Sequence, residues 1–210
     1  MKRSAMRHRR GREAGQSVVE FSMVVTVAMI LLLGMLEFGF VFDHHLTIEY
    51  ASREGARVGS ALANGGGTMG CGTGQSPNAA TVDPQIVAAV QRVLTSPGSQ
   101  VVESRVSSIK IFKSTATGTQ SGTSVNVWTY SAGAGPLVDG RNLAFVNAST
   151  GWAVCSRDNG GTADSIGVGV TYNYQLVTPL SAVMGFFGGG PGPSTIPMTD
   201  KTVMALNPGN

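Results

Sequence analysis

Apolar side chains concentrate in one block, Phe21 to Phe42, where Glu37 is the single charged residue. At 1.5 Å of rise each, these residues give roughly 33 Å of helix, enough to cross a bilayer. Small residues follow at helical spacing (Ala51, Gly55, Ala56, Gly59, Ala63) and extend the predicted helix to about residue 63. They offer a surface on which another backbone can lie closely: the chain's own domain, a second subunit, or neither if that helix is simply solvated. Glu49 and Arg53 are spaced i, i+4, and Glu54 and Arg57 i, i+3, which permits an ion pair across one turn in each case.

A second helical pattern begins at Asp83-Pro84, where Asp83 is a predicted N-cap and Pro84 suits the first turn. Ile86, Val87, Val90, Val93 and Leu94 give it one apolar face, and Pro97-Gly98 closes it. The period then changes to alternation rich in β-branched residues, predicting four strands over 106–112, 124–130, 165–175 and 196–206. The third is the clearest: Ile166, Val168, Val170, Tyr172 and Tyr174 share one face and Gly167 and Gly169 the other. Residues 64–82, rich in Gly, Thr, Ser and Asn, read as a flexible connection. The stretch Leu176–Phe187 reads as a short apolar crossover, and 188–193 as a turn-rich link to the last strand. Phe186 and Phe187 there fill a core, or else meet a membrane surface or another subunit.

Charge changes the picture mainly at the N-terminus. Met1 to Gly15 carries six basic residues and one acid, so without it the formal charge of +3 becomes −2. The basic pI therefore reports topology rather than nucleic-acid binding. The segment has no aromatic residue for base stacking, and it suits the cytosolic, anionic face of a membrane. The basic flank places the N-terminus inside and everything beyond Phe42 outside. The apolar run is longer than a secretory signal core and lacks a closing small-residue cleavage site, so the helix is expected to be retained.

Glu20 lies near the start of that run, where a carboxylate inside hydrocarbon costs about 2.5 to 3.5 kcal/mol. It is tolerable if it is hydrated at the cytosolic interface or paired with an opposite charge. With a break after Gly15, the chain would start at Gln16 and Glu20 would be its fifth residue. A basic leader ending in Gly, followed by a helix with Glu at position five, resembles type IV prepilins. That resemblance implies cutting between Gly15 and Gln16 by a prepilin peptidase. It also implies that Glu20, beside Phe21, meets the free N-terminal amine of a neighbouring subunit and sets register. Glu37, 17 positions further, lies about 25 Å along the helix and is expected to be hydrated in the outer headgroup region.

Three blocks narrow the resemblance: VVEF at 18–21, GMLEFGFVF at 34–42, and ASREGAR at 51–57, which contains Arg53, Glu54, Gly55, Ala56 and Arg57. Together they resemble the TadE-like proteins, minor pseudopilins of tight-adherence (Tad, or Flp) pilus systems; 172–180 and 196–206 match more loosely. The resemblance implies an α+β, pilin-like fold, in which a long N-terminal transmembrane helix continues into a globular domain. That domain would hold an antiparallel sheet of about four strands and a short second helix. The predicted organisation is a leader at 1–15, a helix at 16–63 with its membrane part near 18–42, a Gly-rich loop at 64–82 and an exported domain at 83–210. Implied partners are the prepilin peptidase, other pilins or pseudopilins, Tad assembly membrane proteins and the lipid bilayer. Nucleic acid and a small-molecule substrate are not expected. The implied location is the cytoplasmic membrane, single-pass, with possible incorporation into an external pilus.

Cys71 and Cys155 would both face an oxidising compartment, where an even pair favours a disulfide; two free thiols or a metal site are the alternatives. Outside the leader the only histidines are His44 and His45, adjacent on the emerging helix and poorly placed for a zinc cage or a hydrolase triad. No P-loop occurs in the Gly-rich stretch and no Lys lies near it to meet a phosphate. The expectation is a protein without cofactor that works by packing, not catalysis. The competing class is an uncut, signal-anchored single-pass protein with an external binding or scaffold domain. An exported enzyme would need a pocket with convergent polar groups.

Overall fold

The computed structural model describes residues 10–62, 79–158 and 162–206. The leader residues 1–9, the Gly-rich stretch with Cys71, and the last four residues lie outside this set. The chain divides into two compact units: one combines the chain up to Phe40 with Gln175–Ser194, the other Val41–Tyr174 with the chain from Thr195 onward.

Helix α1 spans Arg10–Ala61. No proline interrupts it. Two of its early hydroxyls bond to their own backbone, Ser22 Oγ donating to Val19 O at 2.8 Å and Thr26 Oγ1 to Ser22 O at 2.7 Å. Such back-bonding satisfies a hydroxyl on an otherwise apolar surface.

The larger unit holds a five-stranded sheet in the order β5-β2-β1-β6-β7, made from β1 Val106–Ser114, β2 Gln120–Tyr130, β5 Phe145–Thr150, β6 Ser165–Gln175 and β7 Thr195–Ala205. Strand β1 pairs antiparallel with both β2 and β6, and β2 antiparallel with β5. Leu206 N–H donates to Asp164 O at 2.8 Å, so the end of β7 meets the start of β6 and that pair is antiparallel too. A two-stranded ribbon, β3 Leu137–Val138 and β4 Arg141–Asn142, stands apart. The α+β antiparallel class is as expected, but four strands was too few. Strand β5 and the ribbon were missed because both are short and half-exposed, so neither alternates clearly.

Register explains the core. Ile109 sits opposite Val170 and Ile111 opposite Val168, so one sheet face is a continuous layer of β-branched side chains, all fully buried. On the other face Phe112 lies opposite Gly167; a Cβ there would stand 2.3 Å from the Phe112 ring, so the glycine makes room for the aromatic.

Helix α2, Ala79–Leu94, buries Val82, Ile86, Val87, Ala89, Val90 and Leu94. It begins a turn before the predicted Asp83 start, so residues 79–82, assigned to the loop from sequence, are helical. Ala79 and Ala80 favour the added turn, and Pro84 is near enough to the start to be tolerated. Asp83 is therefore not an N-cap.

In the smaller unit, the predicted short apolar crossover contains a helix, α3 Leu180–Gly188, which ends on Gly189 in the left-handed conformation, φ 71°.

Candidate functional site

The residues singled out by sequence lie mostly along α1, and the two parts of that helix have different surroundings. From Val18 to Leu36 most large apolar side chains are half-exposed or more: Phe21 68%, Val24 67%, Leu31 60%, Met35 75%. Gly34 and Gly39 have open space where a Cβ would be. This stretch is a candidate membrane span by length and composition, consistent with a membrane-anchored protein. Gly15 and Gln16 lie inside the helix, exposed, and Gln16 Nε2 donates to Glu20 Oε1 at 3.1 Å across one turn. Glu20 is exposed, as is Phe21.

Glu37 departs from its expectation of simple hydration. It is 3% exposed. Its Oε1 accepts the Val177 N–H at 3.0 Å, and its Oε2 accepts the Thr178 N–H at 2.8 Å and the Thr178 hydroxyl. A carboxylate taken from water needs such donors. Leading into α3, whose N-cap position is Pro179, these two amides lie just before the helix start, so Glu37 acts as an anchor from outside the segment. Further along the same unit Val25, Thr26, Met29, Ile30 and Leu33 form a groove of about 550 Å³ with Ala182, Val183, Phe186 and Phe187. Phe186 and Phe187 are 83% and 73% exposed, so the core-filling reading of these two rings is overturned.

The part of α1 from Val41 onward is built the opposite way. Ile48, Ala51 and Ala56 are fully buried. A Cβ at Gly55 would lie 2.6 Å from Val90 Cγ2 and 3.0 Å from Val168 Cγ1; one at Gly59 would lie 2.8 Å from Ile166 Cδ1. The described small residues thus pack on the chain's own α2 and β6, the first of the three alternatives, while Ala63 lies outside the described residues. Ser52, fully buried, donates its hydroxyl to Asp200 and lies 2.9 Å from Thr202 Oγ1, fastening the helix to β7. His44 is a core histidine, 5% exposed, stacked on Tyr172 at 5.7 Å and edge-on to Tyr174 at 4.9 Å.

Both expected ion pairs form on the outer side. Arg53 reaches Glu49 at 2.6 Å, and Arg57 grips Glu54 with two bonds of 2.8 and 2.6 Å. The Arg57 hydrogen bonds hold the Glu54 carboxyl below its usual range against a smaller opposing effect of burial, and Glu54 raises Arg57 in turn.

One buried polar cluster was missed from sequence. Arg157, 2% exposed, pairs with Asp83 at 2.7 Å and lies over the Trp152 ring at 4.6 Å. Asn126, also buried, donates to Asp83 Oδ2 at 2.6 Å and to Trp152 O at 2.8 Å, and accepts the Trp152 N–H at 2.8 Å. A single Arg in a loop carries no local signal of burial; Asp83 gave a signal, but that of a helix cap. Cys155 lies in a one-turn 3-10 helix beside this cluster, Val154–Ser156, and is not a free thiol. The expected partner, Cys71, lies outside the described residues.

The profile of the TadE-like protein family matches residues 15–57. No curated protein and no solved structure matches the chain. The match begins at Gly15 and ends at Arg57, so it covers both parts of α1 and stops before the sheet. Over these residues the chain is similar to TadE-like proteins.

Proposed function

We propose that the chain is a minor pseudopilin of a Tad/Flp-type pilus or secretion machine, cut after Gly15 by a prepilin peptidase and anchored in the cytoplasmic membrane by α1. Its exported domain begins where α1 turns from exposed apolar to buried small residues. The observation that carries this reading is that the family match coincides with a helix whose first part leaves most of its large apolar side chains half-exposed or more. Lipid and neighbouring pilin helices are the natural cover for such a surface. No reaction is assigned to the protein; it works by lateral packing.

In this reading Glu20 pairs with the new N-terminal amine of an adjacent subunit once Gln16 becomes the first residue, and so sets axial register. Phe21 packs between helices at the same level. The motif Arg53, Glu54, Gly55, Ala56, Arg57 serves the exported domain rather than the membrane. Gly55 and Ala56 face inward, and the Arg57–Glu54 pair is left on the outer surface for solvent or a partner. A Cys71–Cys155 disulfide would tie the Gly-rich loop to the edge of the Arg157 cluster, contributing about 2 to 4 kcal/mol.

The intact mass and N-terminal sequence of the chain recovered from its native membrane test the processing step. A start at Gln16 supports the pseudopilin; an intact basic leader supports the signal-anchored protein instead. Glu20→Ala is expected to leave insertion unchanged and to reduce co-purification with partner pilins; unchanged co-purification removes the register role. Thiol labelling of Cys155 only after reduction supports the disulfide.

A further inference from the structure

We propose that residues 175–194 form a second membrane-embedded element, a hairpin that enters the outer leaflet beside the spanning part of α1. The segment would be covered there by lipid hydrocarbon rather than standing in water with the exported domain. This rests on α1 spanning the membrane.

Composition supports the proposal first. From Gln175 to Ser194 there is no charged residue and no histidine, and α3 itself reads LSAVMGFFG. Depth supports it next. The groove partners of α3 are Val25 to Leu33, which precede Glu37 by four to twelve positions, or roughly 6 to 18 Å along the helix. If Glu37 marks the outer boundary of a hydrocarbon core about 30 Å thick, α3 lies below that boundary and reaches toward mid-depth. A segment held at that level leaves Phe186, Phe187 and Met184 largely uncovered by protein, 83%, 73% and 47% exposed, where acyl chains are available to meet them.

Backbone chemistry goes part of the way to the stricter condition that polar groups at membrane depth be satisfied within the protein. At the entry, the Val177 and Thr178 amides are taken by Glu37, and Thr178 Oγ1 accepts from Leu180 N–H at 3.4 Å. The Ala182 and Val183 amides both reach Pro179 O, at 3.0 and 3.2 Å. At the far end Gly190 N–H donates to Gly185 O at 3.2 Å, and Pro191 and Pro193 have no N–H to satisfy. The return chain runs so close to α3 that a Cβ on Gly192 would collide with Ser181 O at 2.1 Å, which explains a glycine there. Leu176 N–H to Ser194 O, 3.1 Å, closes the neck. Glu37 is thus the pin of the hairpin: its carboxylate satisfies two amides that would otherwise be left bare at the membrane boundary.

The full chain, reconstituted in phosphatidylcholine vesicles with or without bromine at mid-acyl positions, provides the test. Phe186→Trp and, separately, Phe187→Trp report on the hairpin; Val24→Trp reports on α1. Emission of the parent, from Trp128 and Trp152, is subtracted. Loss of most of the added emission at 186 and 187 in brominated lipid, alongside the same loss at 24, is the expected result. Quenching at 24 without quenching at 186 and 187 overturns the hairpin alone: red-shifted emission would place it in water, and blue-shifted emission beneath a protein partner. Absence of quenching at all three positions overturns the hairpin together with the spanning helix.

Discussion

The two parts of α1 are made from the same regular helix, yet they solve opposite problems. Between Val18 and Leu36 the side chains are large, apolar and mostly uncovered, while Gly34 and Gly39 have nothing near them. Between Ile48 and Gly59 the inward positions are small and closed against Val90, Ile86, Ile166 and Val168. The first part keeps its packing surface for something outside the chain, and the second has already spent its surface on the domain core. A glycine therefore means different things in the two parts: free surface in one, and enforced close approach in the other.

The domain side of this comparison is most severely broken at the buried cluster. Asp83→Ala should leave the Arg157 guanidinium buried without its charge partner and destabilise the sheet-containing domain by about 3 to 5 kcal/mol, read by denaturant unfolding. Membrane association should not change.

Paired glycine substitutions then sharpen the contrast. Gly55→Ala forces a methyl group to within 2.6 Å of the β-branched Val90 and should cost about 1 to 3 kcal/mol of domain stability. Gly34→Ala meets nothing in its own chain, so it should leave domain stability unchanged, and any effect should appear in assembly with partners.

Glu37→Ala strips the acceptors from Val177 and Thr178 and should cost about 1 to 3 kcal/mol, confined to the smaller unit. Limited proteolysis within 175–194 should accelerate while the sheet stays protected.

The smallest effects are electrostatic and of opposite sign. The lowered Glu54 carboxyl contributes stability above its ordinary pKa, and that stability is lost as pH falls through the lowered value. Glu103 is raised, mainly by burial and against a hydrogen bond with Gln91, so the native state binds its proton more readily than the unfolded state does. It costs stability above its raised value, and the cost is relieved as pH falls through it. Glu103→Gln should therefore stabilise the domain at neutral pH, and Glu54→Gln should weaken it, each by a fraction of a kcal/mol since both sites are partly solvated.

Much of this division was legible in the sequence. The apolar block, the small-residue stripe, both ion pairs and the alternating strand 165–175 each follow from a period or a spacing. What escaped depended on distant partners. Nothing local in Val177-Thr178 announces that a carboxylate 140 residues earlier will bind its amides, and Arg157 resembles any loop arginine until Asp83 and Trp152 close over it. The β3–β4 ribbon was within reach: Asp139-Gly140, with φ 48° and 76°, is a two-residue hairpin turn of the type that demands positive φ at both positions. Its strands were too short to attract notice.

The central claim is that the first part of α1 is kept for contacts outside the chain. A photoreactive benzophenone amino acid at Val24, compared with one at Ile48, in the protein assembled in its native membrane tests it most directly. The account predicts adducts to lipid or to another pilin-like subunit from position 24, and adducts within the same chain from position 48. Adducts confined to the same chain at position 24, or adducts to other subunits from position 48, would contradict it.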